Sequence, residues 1–119
     1  MKAIIIFGLA AATFALVAQA AKSNNTYSVI GYGNTTCVQL LGANNEDYAA
    51  LNSWVNGYLT GVNAFSPLTL KGGWGDIEEG VEPGARKAWL SRWCTTHLND
   101  KVETAAQMYV KDRAKQLGL

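Results

Sequence analysis

The chain has 119 residues, with ten Lys and Arg against nine Asp and Glu and a single histidine, a formal net charge of +1. A near-neutral chain without a clustered basic stretch offers no footprint for nucleic acid and no polybasic contact for an anionic membrane surface. Its length suits one small domain and leaves no room for a second.

Lys2 is followed by Ala3 to Val17, a run without charge that is rich in Ile, Leu, Val, Phe and Ala. At about fifteen residues the run is short of the roughly twenty that span a bilayer, and it ends at Ala18-Gln19-Ala20, a small-x-small cleavage pattern. Residues 1–20 therefore read as an export signal cut after Ala20; an uncleaved anchor or a buried helix is the competing reading. Removing Lys2 leaves nine cationic and nine acidic side chains in the remainder. Export, periplasmic or secreted, means an oxidising compartment, in which Cys37 and Cys94 can pair in only one way. Closing that loop destabilises the unfolded chain by about 4 kcal/mol. A reactive or metal-binding thiol is the alternative, and two cysteines alone fall short of a zinc site.

Residues 21–34 are rich in Asn, Ser and Gly and predict a flexible leader with at most a short strand. Thr35 or Thr36 can cap a short helix through Cys37 to Leu41, with Gly42 ending it in a left-handed conformation. A second helix is predicted from Asn45 to Ala64, capped by Asn44, with Glu46 and Asp47 in the first turn where the helix dipole favours negative charge. Leu51, Val55, Tyr58, Leu59 and Val62, with Trp54, keep the spacing of a core-facing stripe. Ser53, Gly57 and Gly61 form a strip with little bulk, and interior glycines at about 1 kcal/mol each imply a close neighbour from this chain or a second subunit.

Residues 66–84 hold both prolines and a cluster of glycines and acids, and predict a long loop. A third helix is predicted from Pro83, as an N1 proline, to Leu98, carrying Ala85, Ala88, Trp89, Trp93 and Cys94. Asp100 and Glu103 have the spacing of an N-cap box opening a fourth helix, with Val102, Ala105, Ala106, Tyr109, Val110 and Arg113 on one face and Gly118 at the end. The expected fold is all-α, a disulfide-closed bundle of about four helices over residues 35–119.

Few residues suggest chemistry. His97 follows Cys94 by three, yet a sulfur held in a disulfide is no nucleophile, and a helix-end histidine suits the negative helix terminus. His97, Asp100 and Glu103 as metal ligands compete with the capping role of the two acids. Asp76, Glu78, Glu79 and Glu82 could supply paired carboxylates for glycoside hydrolysis, but a solvated acidic loop does not hold the separation such chemistry needs. Trp74, among Gly72, Gly73 and Gly75, reads either as an anchor for a partner or as a lid folded on the bundle. Asn24-Asn25-Thr26 and Asn34-Thr35-Thr36 match the glycosylation acceptor pattern. No cofactor is expected, and binding is favoured over catalysis.

The order of Thr36-Cys37 on a short helix, the run Trp54-Val55-Asn56-Gly57-Tyr58-Leu59-Thr60-Gly61, Trp89-Leu90, Trp93-Cys94 and a final amphipathic helix resembles the HdeA-like family of small periplasmic helical proteins. That resemblance implies one disulfide from the first helix to a later one, and an acid-stress chaperone that is a folded dimer at neutral pH and coats unfolding proteins in acid. The lysine-rich tail of those chaperones is missing here. Gly57-Tyr58-Leu59-Thr60-Gly61 also resembles a helix of the Rap1a-type immunity proteins, which bind a cell-wall amidase, though those carry additional cysteines. The implied partners are proteins: unfolded clients, or one specific effector, with a homodimer compatible with the first. Ser53, Gly57, Gly61 and Trp74 are the candidate contacts, and no membrane association is expected after signal cleavage.

Overall fold

The computed structural model describes residues 27–66 and 75–119, in which a 3-10 turn, Gly31–Asn34, leads into four helices. These are α1 (Cys37–Leu41), α2 (Asn45–Phe65), α3 (Ala85–Cys94) and α4 (Val102–Gln116). The fold is all-α, and the only extended pairing among the described residues is one antiparallel bridge between Thr36 and Lys101. There the Val102 N–H donates to the Thr35 carbonyl and the Cys37 N–H to that of Asp100, each at 2.8 Å, which seats the start of α1 beside the start of α4.

Local rules explain most of α2. The Asn44 side chain accepts from the Asp47 N–H at 2.8 Å, and Glu46 and Asp47 occupy the positive end of the helix dipole. Leu51, Val55 and Leu59 are buried along one stripe, with Trp54, Tyr58 and Val62 packed at its margins. The stripe meets Leu40 of α1, Leu90 of α3, and Val102, Ala105, Tyr109, Val110 and Ala114 of α4 in one cluster. Burying each of the larger side chains stabilises the fold by about 1.5–3 kcal/mol.

Cys37 and Cys94 are fully buried and joined, with their Cα atoms 5.0 Å apart. The bond ties α1 to the last turn of α3 across a sequence separation of 57 residues. Because α1 has only five residues, it is far too short to persist alone. A capping box supports it: the Gln39 N–H donates to Thr36 Oγ1, and the Thr36 N–H donates to the Gln39 side chain at 2.9 Å.

Several boundaries differ from expectation, each for a local reason. Gly42 follows α1 with φ −89°, in the right-handed region, so α1 does not end in a left-handed cap. Helix α3 begins at Ala85, not Pro83; Gly84 at φ 81° turns the chain into the helix, and the proline sits in the turn before it. The same helix stops at Cys94, not Leu98, where the Thr95 and Thr96 hydroxyls donate to the carbonyls of Arg92 and Trp93 and compete with the backbone pattern. Lys101, not Asp100, is the N-cap of α4 and makes no side-chain cap bond. Gly118, at φ 71°, does end α4; its N–H donates to the Lys115 carbonyl and that of Leu119 to Ala114, a Schellman closure. Within the expected leader, residues 31–34 form the 3-10 turn in place of a strand. The expected export signal, residues 21–26 and residues 67–74 lie outside the described residues.

Candidate functional site

Two irregular segments cross the helices and are fastened by different chemistry. The first, residues 27–35, lies over α2 and the start of α4. Gly33 is buried under the Trp54 indole, so close that a Cβ there would stand 2.2 Å from Cζ2. The Trp54 Nε1–H donates to the Ile30 carbonyl at 2.7 Å, and the Trp54 ring stacks on Tyr58 at 5.6 Å. At the end of the segment the Tyr27 phenol donates to Glu103 Oε1, and the Gln107 amide donates to both oxygens.

Glu103 is 7% exposed and is the only buried charged side chain among the described residues. Among the described residues no cation pairs with it, and the one ion pair joins Arg86 to Glu78. A buried carboxylate is expensive unless hydrogen-bonded, and here a tyrosine, a glutamine and the amino end of α4 take the place of a counter-ion. The carboxylate leaves a mark on its neighbours. The Tyr27 phenol is held above the usual tyrosine range first by its hydrogen bond to Glu103, and that of Tyr58 by burial and then by the same charge.

Around this segment Ile30, Tyr32, Val38, Leu41 and Leu98 are exposed. They sit on the 3-10 turn, α1 and the turn between α3 and α4, parts that the bridge and the disulfide hold together. An open groove of about 430 Å³ runs beside them, lined by Tyr32, Gln39, Ala43 and Leu51 among others.

The second segment, residues 75–82, is fastened by an apolar plug and a polar network. Ile77 is fully buried in the core. Its N–H donates to Asn63 Oδ1 at 2.9 Å, and its carbonyl accepts from Arg113 Nε at 3.0 Å. Arg113 also donates to the Glu79 carbonyl. Glu78 pairs with Arg86 at 3.3 Å, and Arg86 in turn donates to Asn52 and Asn56 of α2 at 2.8 and 2.6 Å. The Tyr109 phenol, pushed well above the tyrosine range by burial and then by the neighbouring Glu78, has no hydrogen-bond partner among the described residues.

Three of the four expected contacts, Ser53, Gly57 and Gly61, lie among the described residues. Ser53 and Gly57 are exposed and Gly61 is partly so; a Cβ at either glycine would meet nothing within 4 Å, so no described element of this chain is the close neighbour the glycines suggested. Trp74 lies outside the described residues. Among the acids of the long loop, Asp76 binds Asn63 and the Glu78 N–H, while Glu79 and Glu82 are exposed. His97 stacks on Trp93 at 3.9 Å and places Nδ1 2.8 Å from the Trp93 carbonyl and 2.9 Å from the Thr96 hydroxyl, while the Cys94 sulfur is held in the disulfide. Asp100 offers its backbone carbonyl to Cys37, and Glu103 faces Tyr27, so the two do not form the expected capping pair. No group of three or more His, Cys, Asp or Glu among the described residues is placed to hold a metal, and no described helix is long and apolar enough to cross a membrane.

Sequence reasoning missed the Tyr27–Glu103 contact, which joins positions 76 apart. The clue available was a glutamate on the apolar face of a helix, beside Val102 and Ala106, where a solvated acid does not belong.

No curated protein and no solved structure matches the chain. The model of the HdeA/HdeB family matches residues 3–65, just over half of the chain, and covers α1, α2 and the segment that Tyr27 ties down. With a four-helix fold closed by a disulfide from the first helix to the third, the chain belongs to the HdeA/HdeB family.

Proposed function

We propose that this protein is exported to the periplasm and acts by binding, as an acid-stress chaperone that holds unfolding proteins, rather than as an enzyme. Family membership supports the class of activity. The observation that carries the reading for this chain is Glu103, a buried carboxylate with no cationic partner among the described residues, which fastens the 27–35 segment through Tyr27.

At neutral pH the carboxylate accepts two hydrogen bonds and the segment stays closed over Trp54 and Tyr58. In strong acid carboxylates as a class gain protons. A neutral carboxyl accepts more weakly than a carboxylate, and Tyr27 loses a charge-assisted bond. At the same time all nine acids after Lys2 become neutral while nine Lys and Arg keep their charge, so self-repulsion loosens the bundle. Release of residues 27–35 would bare Trp54 and Tyr58 and free the exposed Ile30 and Tyr32, adding to the exposed Val38 and Leu41 an apolar surface suited to unfolded chains. Clients are the partners on this reading, and a homodimer at neutral pH is compatible with it.

The test is light scattering of an acid-labile protein at about pH 2 and at pH 7, with and without this protein. Suppression in acid and none at pH 7 is expected. Equal suppression at both pH values, or none at either, would sink the reading, and capture of one tight stoichiometric enzyme at pH 7 would favour the immunity-type alternative.

A further inference from the structure

We infer that the cleft between α3 and α4, roofed by residues 80–82, binds a small carboxylate with an apolar body, of the size of one acylated amino-acid residue. The inference is independent of the chaperone reading. The cleft has a volume of about 300 Å³ and is open to solvent on one side, the bottom of the range for small-molecule sites, which suits one residue.

Its floor is aromatic and fixed. Trp89 and Tyr109 meet edge to face at 5.3 Å, and the Trp89 Nε1–H is held by Asp112 Oδ2 at 2.9 Å. The Asp112 carboxylate is further occupied by the Gln116 amide at 2.9 Å. Val81 adds an apolar wall.

Arg92 and Arg113 both line the same cleft. Arg113 bonds only neutral acceptors, the carbonyls of Ile77 and Glu79 and the Gln116 side chain, so it is rigidly placed and its charge is not paired. Arg92 makes no side-chain hydrogen bond and no ion pair with any described residue; only its backbone carbonyl accepts, from Thr95. Against these two cations the lining holds one acid, the exposed Glu82. A surplus of cationic fork-shaped donors beside an aromatic floor is the chemistry that recognises a carboxylate joined to an apolar group. The same end group occurs on a free acylated amino acid and at the C-terminus of a peptide.

NMR titration of the oxidised protein with N-acetyl-leucine, N-acetyl-leucinamide, an N-acetylated tripeptide ending in leucine, and inorganic phosphate tests the site. Saturable shifts of the Trp89 indole N–H are expected with the acid, and at least tenfold weaker binding of the amide. Arg92→Gln should weaken the acid at least tenfold and Arg92→Lys less, with the helical circular dichroism unchanged. Tighter binding of the tripeptide than of N-acetyl-leucine assigns the site to chain ends, and the reverse order assigns it to free acids. No saturable shift, equal binding of acid and amide, an unaffected Arg92→Gln variant, or phosphate competing as well as the acid would each overturn the inference.

Discussion

The segments 27–35 and 75–82 do the same mechanical job with different fastenings. Residues 75–82 also use the carboxylates of Asp76 and Glu78, but they are held besides by Ile77 in the core and by Arg113 on backbone carbonyls, contacts that no proton can remove. Residues 27–35 have no such plug: Gly33 under Trp54 is the closest packing they make, and their far end hangs on one carboxylate. Equal irregularity therefore hides unequal response to pH, and acid should open one end of the molecule before the other.

The largest perturbation should erase the contrast altogether. Replacing Cys37 and Cys94 by Ser removes the link between α1 and α3 and should cost about 4 kcal/mol, read as a lowered denaturant midpoint, with both segments released together. Ile77→Ala should cost about 2–5 kcal/mol, since it empties a fully buried position, and proteolysis should then cut within 75–82 while 27–35 stays protected. Gly33→Ala is the mirror experiment. A methyl group driven into the Trp54 ring should cost about 1–3 kcal/mol and loosen 27–35 while leaving the Ile77 region unchanged in hydrogen exchange.

A smaller effect sharpens the comparison most. Glu103→Gln keeps an acceptor for Tyr27 but removes the charge, and should cost about 1 kcal/mol at pH 7. Its more telling result is that release of 27–35, followed by exchange of the Trp54 indole proton, should depend less on pH between neutrality and acid, with only the general self-repulsion left; an unchanged pH dependence would place the sensor elsewhere. The least effect is expected from Tyr109→Phe, near zero below about pH 10. Burial raises the folded-state value of this phenol, so its protonated form is favoured in the fold and its contribution is complete below the unfolded value near 10. Above that pH the unfolded chain ionises first and stability falls; in the phenylalanine variant that alkaline loss should be shallower in a thermal melt series.

Much of the frame was legible before any coordinates. The stripe Leu51, Val55 and Leu59, the Asn44 cap, the Gly118 stop and the single cysteine pairing each follow from rules spanning a few residues, or from a count that allows one answer. The start and end of α3 were misplaced because Pro83 satisfies the rule for a first-turn proline equally well two residues too early, and because two threonine hydroxyls intercept the last carbonyls. The role of Glu103 was misread for a similar reason: its spacing from Asp100 fits a capping box, but the bridge from Thr36 to Lys101 shifts the helix start by one residue.

The chain's own pattern was thus sufficient for which stretches coil and which face of each is apolar, because helical periodicity is a property of neighbours in sequence. Only the assembled molecule decided that Tyr27 answers Glu103, that Ile77 leaves an acidic loop to enter the core, and that Arg113 grips the carbonyls around it. Those contacts join positions from different elements, and no local spacing encodes which distant polar group a buried charge will find once water is excluded.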